Sequence, residues 1–98
     1  MLNTNTMKLD IISPEVSLFS GEVVSVTVPG TNGEFQMLNN HAAIVAVLTK
    51  GKVKIEANSF SKSTSHEDKF VKEGNKYALM IDSGTLEMKD NKAVILVD

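Results

Sequence analysis

His41 and His66 are the only imidazoles in the 98-residue chain, and cysteine is absent. A protein zinc site gathers three or four nitrogen, sulfur or carboxylate ligands. With no thiolate, and no carboxylate at ligand spacing from His41, that chemistry is poorly supplied. His66 lies beside Glu67 and Asp68 within Asn58–Lys69, a Ser-rich run whose composition reads as a solvated loop. Ser, His and Asp all occur, but the Gly-x-Ser-x-Gly turn that presents a nucleophile does not. Gly30-Thr31-Asn32-Gly33 has the Gly-x-x-Gly spacing of a loop that clamps RNA backbone. Here it lies between β-branched runs, in a chain of net charge −2. No Gly-rich loop of the Walker type is present. The residue types argue against an active site, a metal site, a cofactor or nucleotide site and a nucleic-acid surface, and leave surface recognition.

The best candidate surface lies in Val26–Val47, VTVPGTNGEFQMLNNHAAIVAV. Pro29-Gly30 opens a tight turn, since Pro fixes φ and Gly tolerates positive φ. Gly33 permits a second reversal, and Glu34 follows it at the start of an alternating segment. Asn39-Asn40 turns the chain again and places His41 on a corner before Ala42-Ala43-Ile44. Turn chemistry between strong strands is where a β-scaffold presents contacts; a well-formed loop without a partner is the competing reading.

The elements that must hold these corners are strands. Met7, Leu9 and Ile11 alternate with polar residues. Ser13-Pro14-Glu15 breaks the run, and Val16–Phe19 resumes it up to a bend or bulge at Ser20-Gly21. Glu22–Val28 places Val24, Val26 and Val28 on one face. Ile44–Leu48, IVAVL, is apolar on both faces, which fits either a strand buried on both sides or one whose outer face meets a partner. Val53 and Ile55, then Tyr77, Leu79 and Ile81, then Leu86 and Met88 alternate in turn, and Ala93–Val97 follows the Asp90-Asn91 hairpin turn. This spacing predicts an all-β fold: a flattened β-sandwich of nine or ten short, mostly antiparallel strands. Residues 1–6 read as a disordered extension, and 7–98 as a single domain with an extended loop or hairpin around 58–75. The apolar runs fall far short of the ~20 residues that span a bilayer, and the N-terminus has no signal-peptide pattern.

Phe19-Ser20-Gly21, Gly30-Thr31-Asn32-Gly33-Glu34, Asn40-His41-Ala42-Ala43, Ser83-Gly84-Thr85-Leu86-Glu87-Met88 and Val94-Ile95-Leu96-Val97-Asp98 occur in the order found in one family. Over most of Leu9–Asp98 the chain resembles the N-terminal β-sandwich of the epsilon subunit of F-type ATP synthase. The resemblance implies a non-catalytic rotor subunit that joins gamma to the membrane c-ring, on the cytoplasmic side of a bacterial cell membrane and peripheral to it. It carries Gly33, Glu34, Asn40 and His41 to a c-ring-facing contact, and Ser13, Ile44 and Ala46 to a gamma-facing one. The family's Gly before His is Asn40 here, and its later Pro is Ala43, so a less rigid corner is expected. The family's C-terminal helices, which brake hydrolysis and in some members bind ATP, have no counterpart in these residues, so neither property is expected. The rival from another class is a stand-alone sandwich that binds a ligand. It would need an aromatic-lined concave site, and the chain has one Tyr, four Phe and no Trp.

Overall fold

The computed structural model describes residues 5–98. Ten strands form: β1 (Met7–Ile12), β2 (Ser17–Val23), β3 (Ser25–Gly30), β4 (Gly33–Leu38), β5 (Ile44–Leu48), β6 (Gly51–Glu56), β7 (Phe70–Glu73), β8 (Lys76–Ile81), β9 (Gly84–Lys89) and β10 (Lys92–Val97). Their hydrogen bonds run as one ladder, β2-β1-β10-β9-β5-β3-β6-β8-β7, with β4 on the other side of β3. The ladder bends at one narrow point. β3 meets β5 only at Gly30 opposite Leu48, while its first half pairs with β6 through Ser25, Val26 and Thr27. The result is two leaves of five strands each: β2-β1-β10-β9-β5 and β4-β3-β6-β8-β7. The all-β, sandwich-like architecture is therefore present. Among the described residues β1 with β10 is the one parallel pairing.

The inner faces supply a single core. Met7, Leu9 and Ile11 of β1 and Ile95 of β10 face Val26 and Val28 of β3 and Val53 and Ile55 of β6, and every one of these is fully buried. The alternation of β8 and β9 places Leu79, Ile81, Leu86 and Met88 in the same core, as their spacing predicts.

The expected bend or bulge does not fall at Ser20-Gly21. β2 pairs in register through both residues and its irregularity against β1 lies at Leu18, while the chain breaks at Val24, whose N–H donates to the Glu56 carbonyl at 2.7 Å. Gly21 serves close approach rather than turning. A Cβ there would stand 2.1 Å from Ser63 Oγ, so only glycine lets the 58–69 segment lie against β2. That segment is anchored there: the Ser20 N–H donates to the Ser63 carbonyl at 2.8 Å, and the Thr64 hydroxyl donates to the Leu18 carbonyl at 2.5 Å. It contains two short 3-10 turns, Phe60–Lys62 and Glu67–Lys69, and 70–75 belongs to the β7–β8 hairpin.

Phe60 explains the segment's course. It is the one large apolar side chain in Asn58–Lys69, and it is buried. Its ring stacks on Tyr77 at 3.7 Å and 3° and lies 5.9 Å from Phe19. Phe70 meets it edge-on at 5.0 Å. β2 and β7 are the two ends of the ladder, so Phe60 plugs the seam between them, away from the β3–β5 bend. Covering β2 also hides an edge that would otherwise invite pairing with another chain. Most of the expected disordered extension, residues 1–6, lies outside the described residues; within them, the Thr6 hydroxyl donates to Glu22 Oε1 at 2.8 Å.

Candidate functional site

β4 is an edge strand, hydrogen-bonded only to β3. Its two ends carry the polar groups singled out from the sequence. At its start, Thr31-Asn32 turns the chain and Gly33 takes φ +112°, a conformation that glycine alone adopts without strain. Glu34 follows, half exposed, 3.1 Å from Lys54 Nζ of β6. An ion pair this exposed contributes about 0–1 kcal/mol, so Glu34 can exchange Lys54 for an external cation at little cost.

At the far end, Asn40 has φ +64°. This accounts for an asparagine where the family places glycine, because Asn tolerates the left-handed region better than other residues with a side chain. The half-buried His41 donates from Nδ1 to the Ala42 carbonyl at 2.7 Å, which makes Nε2 an acceptor when the ring is neutral. At ~3.3 Å per residue, β4 spans roughly 17 Å between Gly33 and Leu38. The structure thus separates the four residues into two pairs, Gly33-Glu34 and Asn40-His41, at opposite ends of one exposed edge.

The residues carried to the other contact fall differently. Ile44 and Ala46 turn inward and pack against the core. The outward side chains of β5 are their neighbours Val45 and Val47, 76% and 62% exposed. Of the two readings of this apolar run, burial on both sides is excluded. Ser13 is half-buried, and its hydroxyl donates to the Val16 carbonyl at 3.1 Å and accepts from the Val16 N–H at 3.2 Å, closing the β1–β2 turn. The outward residue beside it is Ile12.

Strand register joins these outward groups into one band. Val47 lies opposite Thr85, Thr85 opposite Leu96, and Leu96 opposite Ile12. Leu96 is 51% exposed and Ile12 37%. A row crossing four strands at ~4.8 Å spacing is about 14 Å wide, and Val45 extends it. Between Val45–Val47, Phe35 and the 30–33 turn lies a groove of about 430 Å³.

The outer face of the other leaf is mixed. It presents Lys52, Lys54 and Glu56 of β6, Glu73 of β7 and Lys76 of β8, together with exposed Val71 and Met80. Lys52 Nζ reaches Glu73 Oε2 at 2.6 Å. That hydrogen bond, aided by the Lys52 and Lys54 charges, holds the Glu73 carboxyl below the ordinary Glu range. Because the folded-state pKa is the lower one, the stabilisation is present above the unfolded Glu pKa and is lost as pH falls through the lowered value. Lys52→Gln returns the Glu73 titration, followed by NMR of its carboxyl carbon, to the ordinary range; an unmoved titration would deny the pair its role.

His66 is half-buried rather than fully solvated, and its N–H donates to Thr64 Oγ1 at 2.9 Å. Among the described residues no three His, Cys, Asp or Glu side chains gather as a metal site, and no helix is long and apolar enough to cross a membrane.

Comparison with known proteins agrees with this architecture. Residues 6–98 match the family model of the ATP synthase delta/epsilon chain β-sandwich domain. The chain is 41% identical to the ATP synthase epsilon chain of Chlorobium limicola, over 93% of this chain and 88% of that one. It is 34% identical to that of Nitratiruptor, over 96% and 62%, and 39% identical to that of Leptospira interrogans, over 99% and 65%. The fold resembles a chain in the Euglena gracilis mitochondrial ATP synthase with its OSCP, F1 and c-ring (TM-score 0.73, 18% identity), covering 99% of this chain and 52% of that one. It also resembles a chain in the central stalk and c-ring of the Tetrahymena thermophila enzyme (TM-score 0.65, 16% identity), covering 98% and 66%. A β-sandwich matched along nearly its whole length by one family model, and by epsilon chains above 30% identity, belongs to the ATP synthase delta/epsilon-chain family.

Proposed function

We propose that this chain is the foot of a rotary stalk, with gamma held on the β5-β9-β10-β1 face and the loops of the c-ring met along the β4 edge. As an epsilon-family chain it is a non-catalytic subunit of the ATP synthase complex. The observation that carries the finer reading is the band of exposed aliphatic side chains on the first leaf. Val47, Leu96 and Ile12 lie along it, with Thr85 between the first two and Val45 beside it, whereas Val71 and Met80, exposed on the outer face of the other leaf, sit among Lys52, Lys54, Glu73 and Lys76. Exposed apolar side chains gathered on a sheet face mark a place where something docks.

Torque passes through such a foot only if both contacts are stiff relative to each other. The continuous ladder at Gly30–Leu48 ties the leaves on one side, and the Phe60 plug closes them on the other. The β4 ends suit a polar partner. Glu34 offers a carboxylate with only a weak internal tie, and His41 offers a ring nitrogen on a fixed corner. Contact with the membrane is then indirect, through the ring.

Co-expression with gamma from the same genome, followed by size-exclusion chromatography with mass detection, tests the reading. A one-to-one complex is expected. A chain that elutes alone beside well-folded gamma would refute it.

A further inference from the structure

We infer that Asn91, in the β9–β10 turn, is the positioning residue for the Asn40–His41 corner, and that this turn forms part of the same polar contact. The inference rests on reading that corner as a contact with the ring.

Asp90 and Asn91, the central residues of the turn, have φ +52° and +61°. Positive φ at both centres is what a two-residue type I′ hairpin requires, and Asn is one of the few residues that accept it. The carbonyl and both side-chain amide groups of Asn91 are engaged by two distant segments. Its carbonyl accepts the Lys8 N–H at 3.1 Å. Its Oδ1 accepts the Asn40 N–H at 2.7 Å, across 51 positions of sequence. Its Nδ2 donates to the Thr6 carbonyl at 3.0 Å, across 85 positions. A backbone N–H can only donate and a carbonyl can only accept, so the two partners fix which way the side-chain amide points.

Three stretches distant in sequence are thereby fastened at one side chain: the entry to β1, the β4–β5 corner and the β9–β10 turn. Asn40 holds the left-handed conformation, which costs a residue with a side chain more than it costs glycine, and Asn91 supplies a restraint on it from outside the corner. The groove of about 540 Å³ at this end is lined by Asn40, His41 and Ala43 on one side and by Lys89, Asp90 and Asn91 on the other. A polar loop seated on His41 therefore also meets Lys89 and Asp90, which gives the contact a cation, an anion and an imidazole.

Two substitutions separate the roles of Asn91. Asn91→Gly makes the turn Asp-Gly, a strong type I′ sequence, so the hairpin survives while both side-chain bonds vanish. Asn91→Asp keeps an acceptor for Asn40 but loses the donor to Thr6. In Asn91→Gly, amide hydrogen exchange at Asn40 should accelerate at least tenfold while exchange in the β9 and β10 core is unchanged. Gamma capture should be retained, and ion pumping per ATP hydrolysed by the reconstituted complex should fall at least twofold. Asn91→Asp should restore both Asn40 protection and pumping. Unchanged Asn40 exchange in Asn91→Gly would overturn the restraint itself. Accelerated exchange with undiminished pumping would overturn its functional role. His41→Ala distinguishes that second failure from failure of the underlying reading: if it too leaves pumping intact, the corner is not a ring contact and the inference falls with it.

Discussion

Replacing Phe60 by alanine lowers the stability of this fold by about 3–5 kcal/mol, the range for removing a buried aromatic side chain. The effect belongs to the upper end because the ring does more than fill space. It is stacked on Tyr77 and flanked by Phe19 and Phe70, and aromatic pairs add ~0.5–1.5 kcal/mol beyond buried area. Alanine also releases the 58–69 segment from β2, exposing the Leu18 and Phe19 edge. A domain of this size has a total stability of ~5–15 kcal/mol, so the variant approaches half-unfolded at elevated temperature. At ~4 °C or more per kcal/mol, Tm should fall by at least about 12 °C. Urea denaturation of the 98-residue chain measures it, with Phe60→Leu as an apolar comparison that loses the ring contacts but keeps much of the buried side chain and so costs less. A cost below about 1 kcal/mol would mean that the leaves close without the plug.

The second large effect concerns binding rather than folding. Val45→Glu combined with Val47→Glu should weaken capture of gamma at least 100-fold, equivalent to about 2.7 kcal/mol at 1.36 kcal/mol per tenfold. Both side chains point outward, so the thermal transition of the free chain should barely move. Lys54→Glu on the opposite leaf is the control and should change capture by less than about threefold. Gamma binding that survives the double substitution, with the chain folded, would remove the β5 face from the interface. Binding lost with Lys54→Glu instead would transfer the interface to that leaf.

Much of this architecture is legible in the residue order, because period-two alternation reports burial directly. Met7-Leu9-Ile11, Tyr77-Leu79-Ile81 and Leu86-Met88 each have the predicted face inward. Where alternation fails, so does the reading. IVAVL carries no polar residue to mark its wet side, and only the pairing of Ile44 and Ala46 opposite Met88 and Leu86 settles which half faces the core. The bend or bulge expected at Ser20-Gly21 rested on glycine as a turn former. The same residue also permits close approach, and nothing local reveals that Ser63 lies there. Phe60 is visible in the sequence as a lone aromatic in a polar run, a pattern that marks an anchor once the run is long. The corner residues Glu34 and His41 are legible as turn chemistry at the two ends of an alternating segment, and β4 runs between them as that pattern predicts. Asn91 gave only a hairpin signal; its bonds to Asn40 and Thr6 join positions too far apart for any local pattern.

The parallel pairing of β1 with β10 bears on how the protein is made. Residues 25–81 contain every strand of the β4-β3-β6-β8-β7 leaf, so that leaf can assemble as soon as they are synthesised. The other leaf cannot. β1 and β2 leave the ribosome first, yet β1 pairs with β10 on its second side, through Lys8–Ile12 and Lys92–Leu96. Until β10 has been synthesised, the β1–β2 hairpin keeps one edge of β1 unpaired. Contacts this distant in sequence slow folding, and exposed apolar edges draw chaperones or other nascent chains. Biosynthesis of this domain therefore has a vulnerable interval bounded by the first strand and the tenth.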